Sequence, residues 1–238
     1  MLGFPYKRII LKISGESLAN KKTNNTIDFD LVSNLARILK KFSDNHVQVG
    51  VVIGGGNFWR GRSNSNMNRV KADHIGMLAT VMNAVALTDS LEQHGAESVL
   101  LTTIAFPQIG ELYSPERAVN YLNQNKIVVF GYGTGSAFFS TDTAASLRAS
   151  ETNSEIILKA TTIDGVYTND PKIDPNATKY EKLSFDEMLA KNLKVIDSTA
   201  ASMCRDNKIP VKIFSMNLLE DIIDNKLDFD FIGTIIVP

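Results

Sequence analysis

Residues 51–61 read VVIGGGNFWRG: an apolar run, three consecutive glycines, an aromatic pair and an arginine. A strand that runs into glycines brings its backbone close to something, and the kind of loop it forms decides the kind of fold. A Walker loop requires G-x-x-x-x-G-K-[ST], and no Lys-Ser or Lys-Thr pair follows Gly56 at that spacing. A dinucleotide fingerprint requires G-x-G-x-x-G, and Trp59 stands where its last glycine should fall. The stretch is therefore a phosphate-loop candidate outside both common classes. Its N–H groups could converge as an anion-binding concavity, with Arg60 as a neighbouring cation. The competing reading is a tight turn that only lets helix and sheet approach each other.

Around this stretch the chain alternates. Residues 7–13, 47–53, 97–102, 126–130 and 155–160 are short runs rich in Val, Ile and Leu, the pattern of buried strands. Between the first two, Leu31, Leu35, Ile38, Leu39 and Phe42 recur on one helical face, with Asp28 or Asp30 available as N-cap. A second long helix is expected from about Arg69 to His94. Its apolar residues Ile75, Leu78, Val81, Met82, Val85 and Leu87 exceed a single stripe, which suggests burial on more than one side, including against another subunit. After Thr161 the turn formers Asp-Gly, Asn-Asp-Pro and Asp-Pro predict a hairpin and irregular loops. Helical segments at 185–190 and 198–207 follow, with strands at 211–214 and 233–237. This order reads as an α/β protein with a mostly parallel sheet.

Composition narrows the function. The 238 residues, 44% of them hydrophobic, suffice for a substantial core, and a formal charge of -1 argues against a polyanionic partner, so no nucleic acid is expected. Lys7, Arg8 and Lys12 interrupt the apolar core that a signal peptide would need. No stretch approaches the roughly 18 to 20 apolar residues that span a bilayer, so no membrane partner and a cytoplasmic location are expected. The single cysteine, Cys204, excludes an internal disulfide framework and reads as a small buried apolar residue. His74 reads as structural, and no histidine has a metal-site partner at close spacing.

Ligands of open α/β sheets gather beyond the carboxyl ends of strands, where three stretches fall. In KISGES, residues 12–17 at the end of the first strand, Lys12 lies within an otherwise apolar run and must reach water or an anion. The glycine stretch ends the second strand. In GYGTGSAFFSTDTAA, residues 131–145, glycines and hydroxyls surround Phe138 and Phe139, of which at least one is expected in the core. Asp142 falls near a helix start, where an acid stabilises the macrodipole whatever its function. Glycine, lysine and arginine at three strand ends imply more than one phosphate group.

In this order, KISGES, VVIGGGNFWRG, DHIGMLATVMNAVAL, GTGSAFFSTDTAA and KATTIDGVYTNDP resemble the bacterial uridylate (UMP) kinases of the amino-acid kinase superfamily, from residue 7 to the end of the chain. The resemblance implies a three-layer α/β/α sandwich with a mostly parallel central sheet and no Walker lysine. It implies one amino-acid kinase domain over 1–238, with about 1–155 on the UMP side and about 156–238 on the ATP nucleoside side. It also implies a homohexamer, UTP as feedback inhibitor, and Mg²⁺ carried with ATP rather than held by a protein-only metal site. The segments LTDSLEQHG and ELYSPERAV are poorer in basic side chains than in GTP-activated members.

By the same resemblance, Lys12, Arg60 and Asp142 are catalytic, Asp142 as the acid that holds the lysine in place. Lys12, Ile13, Ser14 and Gly15 would line the ATP phosphates, with Gly56 and Arg60 beside them. Thr161, Thr162, Tyr167 and Asp170 would hold the adenosine. Gly55 would meet the UMP phosphate and Asp73 a ribose hydroxyl. The loop Thr134, Gly135, Ser136, Ala137, Phe138, Phe139, Ser140 and Thr141 would hold uridine, and Lys159 would add a second cation. A nucleotide phosphate with a second pKa of about 6 is already a dianion near neutral pH, so in-line transfer in pyrimidine nucleotide biosynthesis would need no general base. Rival readings are a sister kinase acting on another acceptor, a silent nucleotide-binding regulator on the same fold, and a Rossmann dehydrogenase.

Overall fold

The computed structural model describes residues 4–20, 22–59, 67–171, 173–224 and 226–238. Its strands are β1 (Arg8–Ile13), β2 (Gln48–Ile53), β3 (Ser98–Thr102), β4 (Glu111–Leu112), β5 (Ile127–Gly131), β6 (Ile156–Thr161), β7 (Val166–Tyr167), β8 (Lys179–Tyr180), β9 (Lys182–Ser184), β10 (Val211–Ser215) and β11 (Thr234–Val237). Its helices are α1 (Phe29–Asp44), α2 (Arg69–Gln93), α3 (Pro115–Asn123), α4 (Thr141–Glu151), α5 (Phe185–Ala190), α6 (Ser198–Asp206) and α7 (Leu219–Ile223). Nine strands form one sheet in the order β4-β3-β5-β2-β1-β6-β10-β11-β9, parallel throughout except where β11 runs against β10. The expected hairpin is present as the antiparallel pair β7 and β8.

Strand alternation sorts the chain into three layers. Ile9, Leu11 and Ile13 of β1 face a core completed by Val32, Leu35, Leu39 and Phe42 of α1, Leu87 and Leu91 of α2, and Ile222 of α7. Ile10 of β1, Val52 of β2 and Phe130 of β5 face the opposite core, with Leu122 of α3, Ala144 and Ala145 of α4, Phe185 of α5, and Ala200 and Cys204 of α6. The α/β/α sandwich expected from the sequence is therefore present. Lys12 follows Ile10 by two residues and so emerges on the α4 side.

Local chemistry explains the helix starts. The Asp28 side chain accepts from the N–H groups of Asp30 and Leu31, which makes it the N-cap of α1. Ser140 caps α4 through the N–H groups of Asp142 and Thr143. The short elements β4, α3, β9 and α7 have no counterpart in the sequence reading, because segments this short complete too few periods to stand out. Cys204 is buried, as expected, and burial pushes its thiol up to about 11. Among the described residues no helix is long and apolar enough to cross a membrane.

Phe42 is 1% exposed at the junction of α1 with the sheet. Replacing it with alanine should lower the unfolding free energy by about 3–5 kcal/mol, read as a lower urea midpoint at unchanged slope.

Candidate active site

Lys12 and Lys159 are register partners on the adjacent parallel strands β1 and β6, so their side chains leave the same face of the sheet close together. Two ammonium groups in that position repel each other unless an anion lies between them. Asp142, at the second position of α4, supplies it: Lys12 Nζ lies 2.9 Å from Oδ1 and Lys159 Nζ 2.6 Å from Oδ2. Lys159 also donates to the carbonyl of Val195. Burial pushes the Asp142 carboxyl up, but the charges of Lys12 and Lys159 outweigh it and hold the group below its ordinary range. Burial lowers Lys159, against the pull of Asp142. Lys159, expected as a second cation, is thus an internal residue 8% exposed.

A further acid supports this cluster. Asp197 caps α6 by accepting from the N–H of Ala200 at 2.9 Å, and its carboxylate also accepts from the hydroxyls of Ser140 and, at 3.1 Å, Thr143. The beginnings of α4 and α6 are tied together beside Asp142. Asp197-Ser198 before an alanine-rich helix signals an N-cap in the sequence, but nothing local signals its second set of partners.

Left-handed backbone does not explain the glycine turns, since none of Gly15, Gly54, Gly55 and Gly56 has a positive φ; close approach explains some of them. A Cβ on Gly55 would lie 2.6 Å from the Gly76 carbonyl oxygen and 2.7 Å from Ala79 Cβ, both on α2. The packing reading therefore accounts for Gly55. It does not account for Gly56, whose Cβ would meet, among the described residues, only Glu16 at 3.6 Å. Arg60 lies outside the described residues.

A cleft of about 250 Å³ opens between the glycine turn, α2 and the loop after β5. Of the residues assigned to UMP, Gly55, Asp73, Thr134, Ser136, Phe139, Ser140 and Thr141 line it, together with Gly56. Gly135, Ala137 and Phe138 are not part of this lining. Asp73 accepts from Arg69 Nε, at 2.8 Å to each oxygen, and from the N–H of Phe138 at 2.8 Å, which pins the loop to α2. Phe138 and Phe139 are 63% and 50% exposed, so the expectation that one packs in the core is corrected. Positive φ at Tyr132, Gly133, Gly135 and Phe138 turns this segment outward. Arg148, which the sequence reading passed over, also borders the cleft; it packs on the Tyr113 ring at 3.8 Å and donates to the Gly133 carbonyl at 3.2 Å.

The residues assigned to ATP are less tightly gathered. The Ile13 side chain is fully buried and its carbonyl accepts from the N–H of Gly54. Ser14 caps the short turn Gly15–Leu18. Thr161 ends β6, two residues beyond Lys159, and closes a turn with Ile163. The Tyr167 hydroxyl donates to Asp164, while Thr162 and Asp170 are exposed. A second cleft, of about 400 Å³, borders Asp142 and Lys159, and its remaining described lining comes from Ser140, α5 and residues 192–198 rather than from Thr161, Thr162, Tyr167 or Asp170. Ser140 borders both clefts. Among the described residues no three or more His, Cys, Asp or Glu side chains group as a metal site, and both Asp142 oxygens already face lysines.

Residues 7–215 match the amino acid kinase family. The structure is similar to the crystal structure of a UMP kinase from Bacillus anthracis, with a TM-score of 0.90, 34% identity, and coverage of 98% of this chain and 96% of that one. It is likewise similar to the crystal structure of a UMP kinase from Ureaplasma parvum, with a TM-score of 0.90, 34% identity, and coverage of 99% and 100%.

The depressed Asp142 carboxyl has a consequence for stability. Its contribution is fully present above the ordinary value of 3.8 and is lost as pH falls through its lower folded value. Asp142→Ala should cost about 3 kcal/mol at neutral pH, because two lysines are left facing each other. Urea titrations should also show a shallower loss of stability on acidification in the variant; identical acid profiles would contradict the ion-pair assignment.

Proposed function

The chain belongs to the amino acid kinase family, and on that footing we propose that it is a UMP kinase, transferring the γ-phosphoryl group of Mg-ATP to UMP to give UDP and ADP in pyrimidine nucleotide biosynthesis. The observation that carries this reading is the cluster of Lys12, Asp142 and Lys159 at the start of α4, next in the chain to Ser140 and Thr141 of the first cleft. A donor along the turn after β1 and an acceptor in that cleft would bring their phosphates together beside these cations.

In this reading UMP occupies the cleft lined by Gly55, Asp73 and residues 134–141, and ATP phosphates lie along Lys12, Ser14, Gly15 and Gly56, with Thr161, Thr162, Tyr167 and Asp170 toward the adenosine. The chain then divides by role near residue 155. The UMP phosphate is a dianion near neutral pH and needs no general base. Catalysis rests on alignment and on charge stabilisation by Lys12, Arg60 and backbone N–H groups. Asp142 accepts no proton from substrate; its charge fixes the Lys12 ammonium. Mg²⁺ would enter with ATP and be held by phosphates and water, since among the described residues no three or more His, Cys, Asp or Glu side chains group as a metal site. UTP fits the acceptor cleft as an inhibitor through its shared nucleoside. Leu78, Met82 and Val85, 43%, 46% and 39% exposed along one stripe of α2, offer an apolar face to a second copy and support a homohexamer assembled in part through α2.

A coupled ADP-release assay with Mg-ATP and UMP, CMP, dUMP, AMP, carbamate or acetylglutamate tests the substrate. Turnover is expected with UMP, and turnover only with another acceptor would favour the sister kinase. Lys12→Ala should lower kcat by about 10²–10³-fold while keeping the fold by circular dichroism. Near-normal turnover in that variant would remove Lys12 from the mechanism.

A further inference from the structure

Asn83 lies in the middle of α2, in the stretch GMLATVMNA, and is fully buried, with no part in the lining of either cleft. A buried amide has to place two donors and an acceptor, and Asn83 places them all on the phosphate-loop side of the molecule. Its Nδ2 donates to the Gly54 carbonyl and to Asn57 Oδ1, each at 2.8 Å, and its Oδ1 accepts from Asn57 Nδ2 at 2.8 Å. The two side chains thus form a reciprocal amide pair. The remaining Asn57 proton goes to the carbonyl of Thr26, just before α1, at 2.7 Å.

Gly15 rests directly on this pair. A Cβ there would lie 2.4 Å from Asn57 Oδ1, 2.9 Å from Asn83 Nδ2 and 2.3 Å from the Gly54 oxygen. The turn after β1, which carries Ser14 and Gly15 directly beyond Lys12 and Ile13, and the turn after β2, which carries Gly54 to Asn57, therefore meet on the same two amides. Apolar side chains of similar volume would fill the space without enclosing the Asn83 amide, but they would not fix the distance and direction between the turns.

We propose that the Asn57–Asn83 pair is a positioning device for phosphoryl transfer, locking the turns after β1 and β2 in the relative geometry that nucleotide phosphates require. Neither asparagine touches the reacting atoms; both act through Gly15, Gly54 and Gly56. The proposal rests on the kinase reading for its kinetic readout, and on the geometry of the turns for its binding readout.

The test compares the wild type, Asn83→Leu, Asn57→Ala and the double variant. Mg-ADP titration calorimetry counts the competent sites and measures affinity, and UMP-dependent ADP release gives kcat per counted site. A purely structural role changes the number of competent sites and the melting temperature, but not kcat per site. The positioning role requires kcat per site to fall more than fivefold in each single variant, with the double variant no worse than the poorer single, because either change breaks the whole pair. A smaller fall in either single variant, or losses that multiply in the double, would overturn it. Should Asn83→Leu fail to fold, Asn57→Ala, at a half-buried site, decides the matter by the same threshold. If the wild type binds Mg-ADP but does not turn over UMP, the kinase reading fails on its own. The pair is then judged by Mg-ADP affinity, where a loss above fivefold in Asn57→Ala sustains it and a smaller loss refutes it.

Discussion

Two lysines on neighbouring parallel strands, at matched register and on the same face, repel each other, and the Asp142 carboxylate between them is the constraint on which the site depends. The attraction is effective because water is largely excluded around it, and the same exclusion makes an unpaired charge there costly. A single acid therefore sets where both cations stand. It also ties β1 and β6 to the beginning of α4, so that a displacement of any of the three would be felt at the lysines. Asp197 extends the arrangement by joining the caps of α4 and α6, which places the support for Asp142 on two helices.

On the other side of the site the support is α2. Gly76 and Ala79 admit Gly55 to close contact, Asn83 holds Gly54 and Asn57, Thr80 accepts from the N–H of Tyr132, and Asp73 holds Phe138. One helix thus positions the turn after β2 and the loop after β5 together. Its exposed apolar stripe lies on the same element, so an assembly formed through α2 would bear on the helix that organises the acceptor cleft.

The legible part of this molecule was the part written in local pattern. Strand positions were read from apolar runs, α1 and its Asp28 cap from helical spacing, and the hairpin after β6 from turn formers. Glycine, lysine and acid motifs at strand ends pointed to phosphate. Less legible were features with no local signature. Lys159 has the same appearance in sequence whether it is a surface lysine or an internal one, because burial depends on what packs over the strand. Phe138 and Phe139 look like core residues, yet positive φ through the preceding turn sends them outward. Asp197, Arg148 and Asn83 carry ordinary local signals, of a cap, a helical cation and a helical amide, and acquire their roles from groups remote in the chain.

By itself the sequence determined the order of the longer strands and helices, the position of Lys12 at the end of an apolar strand, and the presence of phosphate-directed turns, because strand and helix periods and turn chemistry are properties of neighbouring residues. Only the tertiary structure decided that Lys12 and Lys159 share a register, that Asp142 stands between them, and that two asparagines hold the glycine turns together. Register between strands and the meeting of helix starts are set by packing across the whole sheet, and side chains distant in the chain acquire defined distances only once that packing is complete.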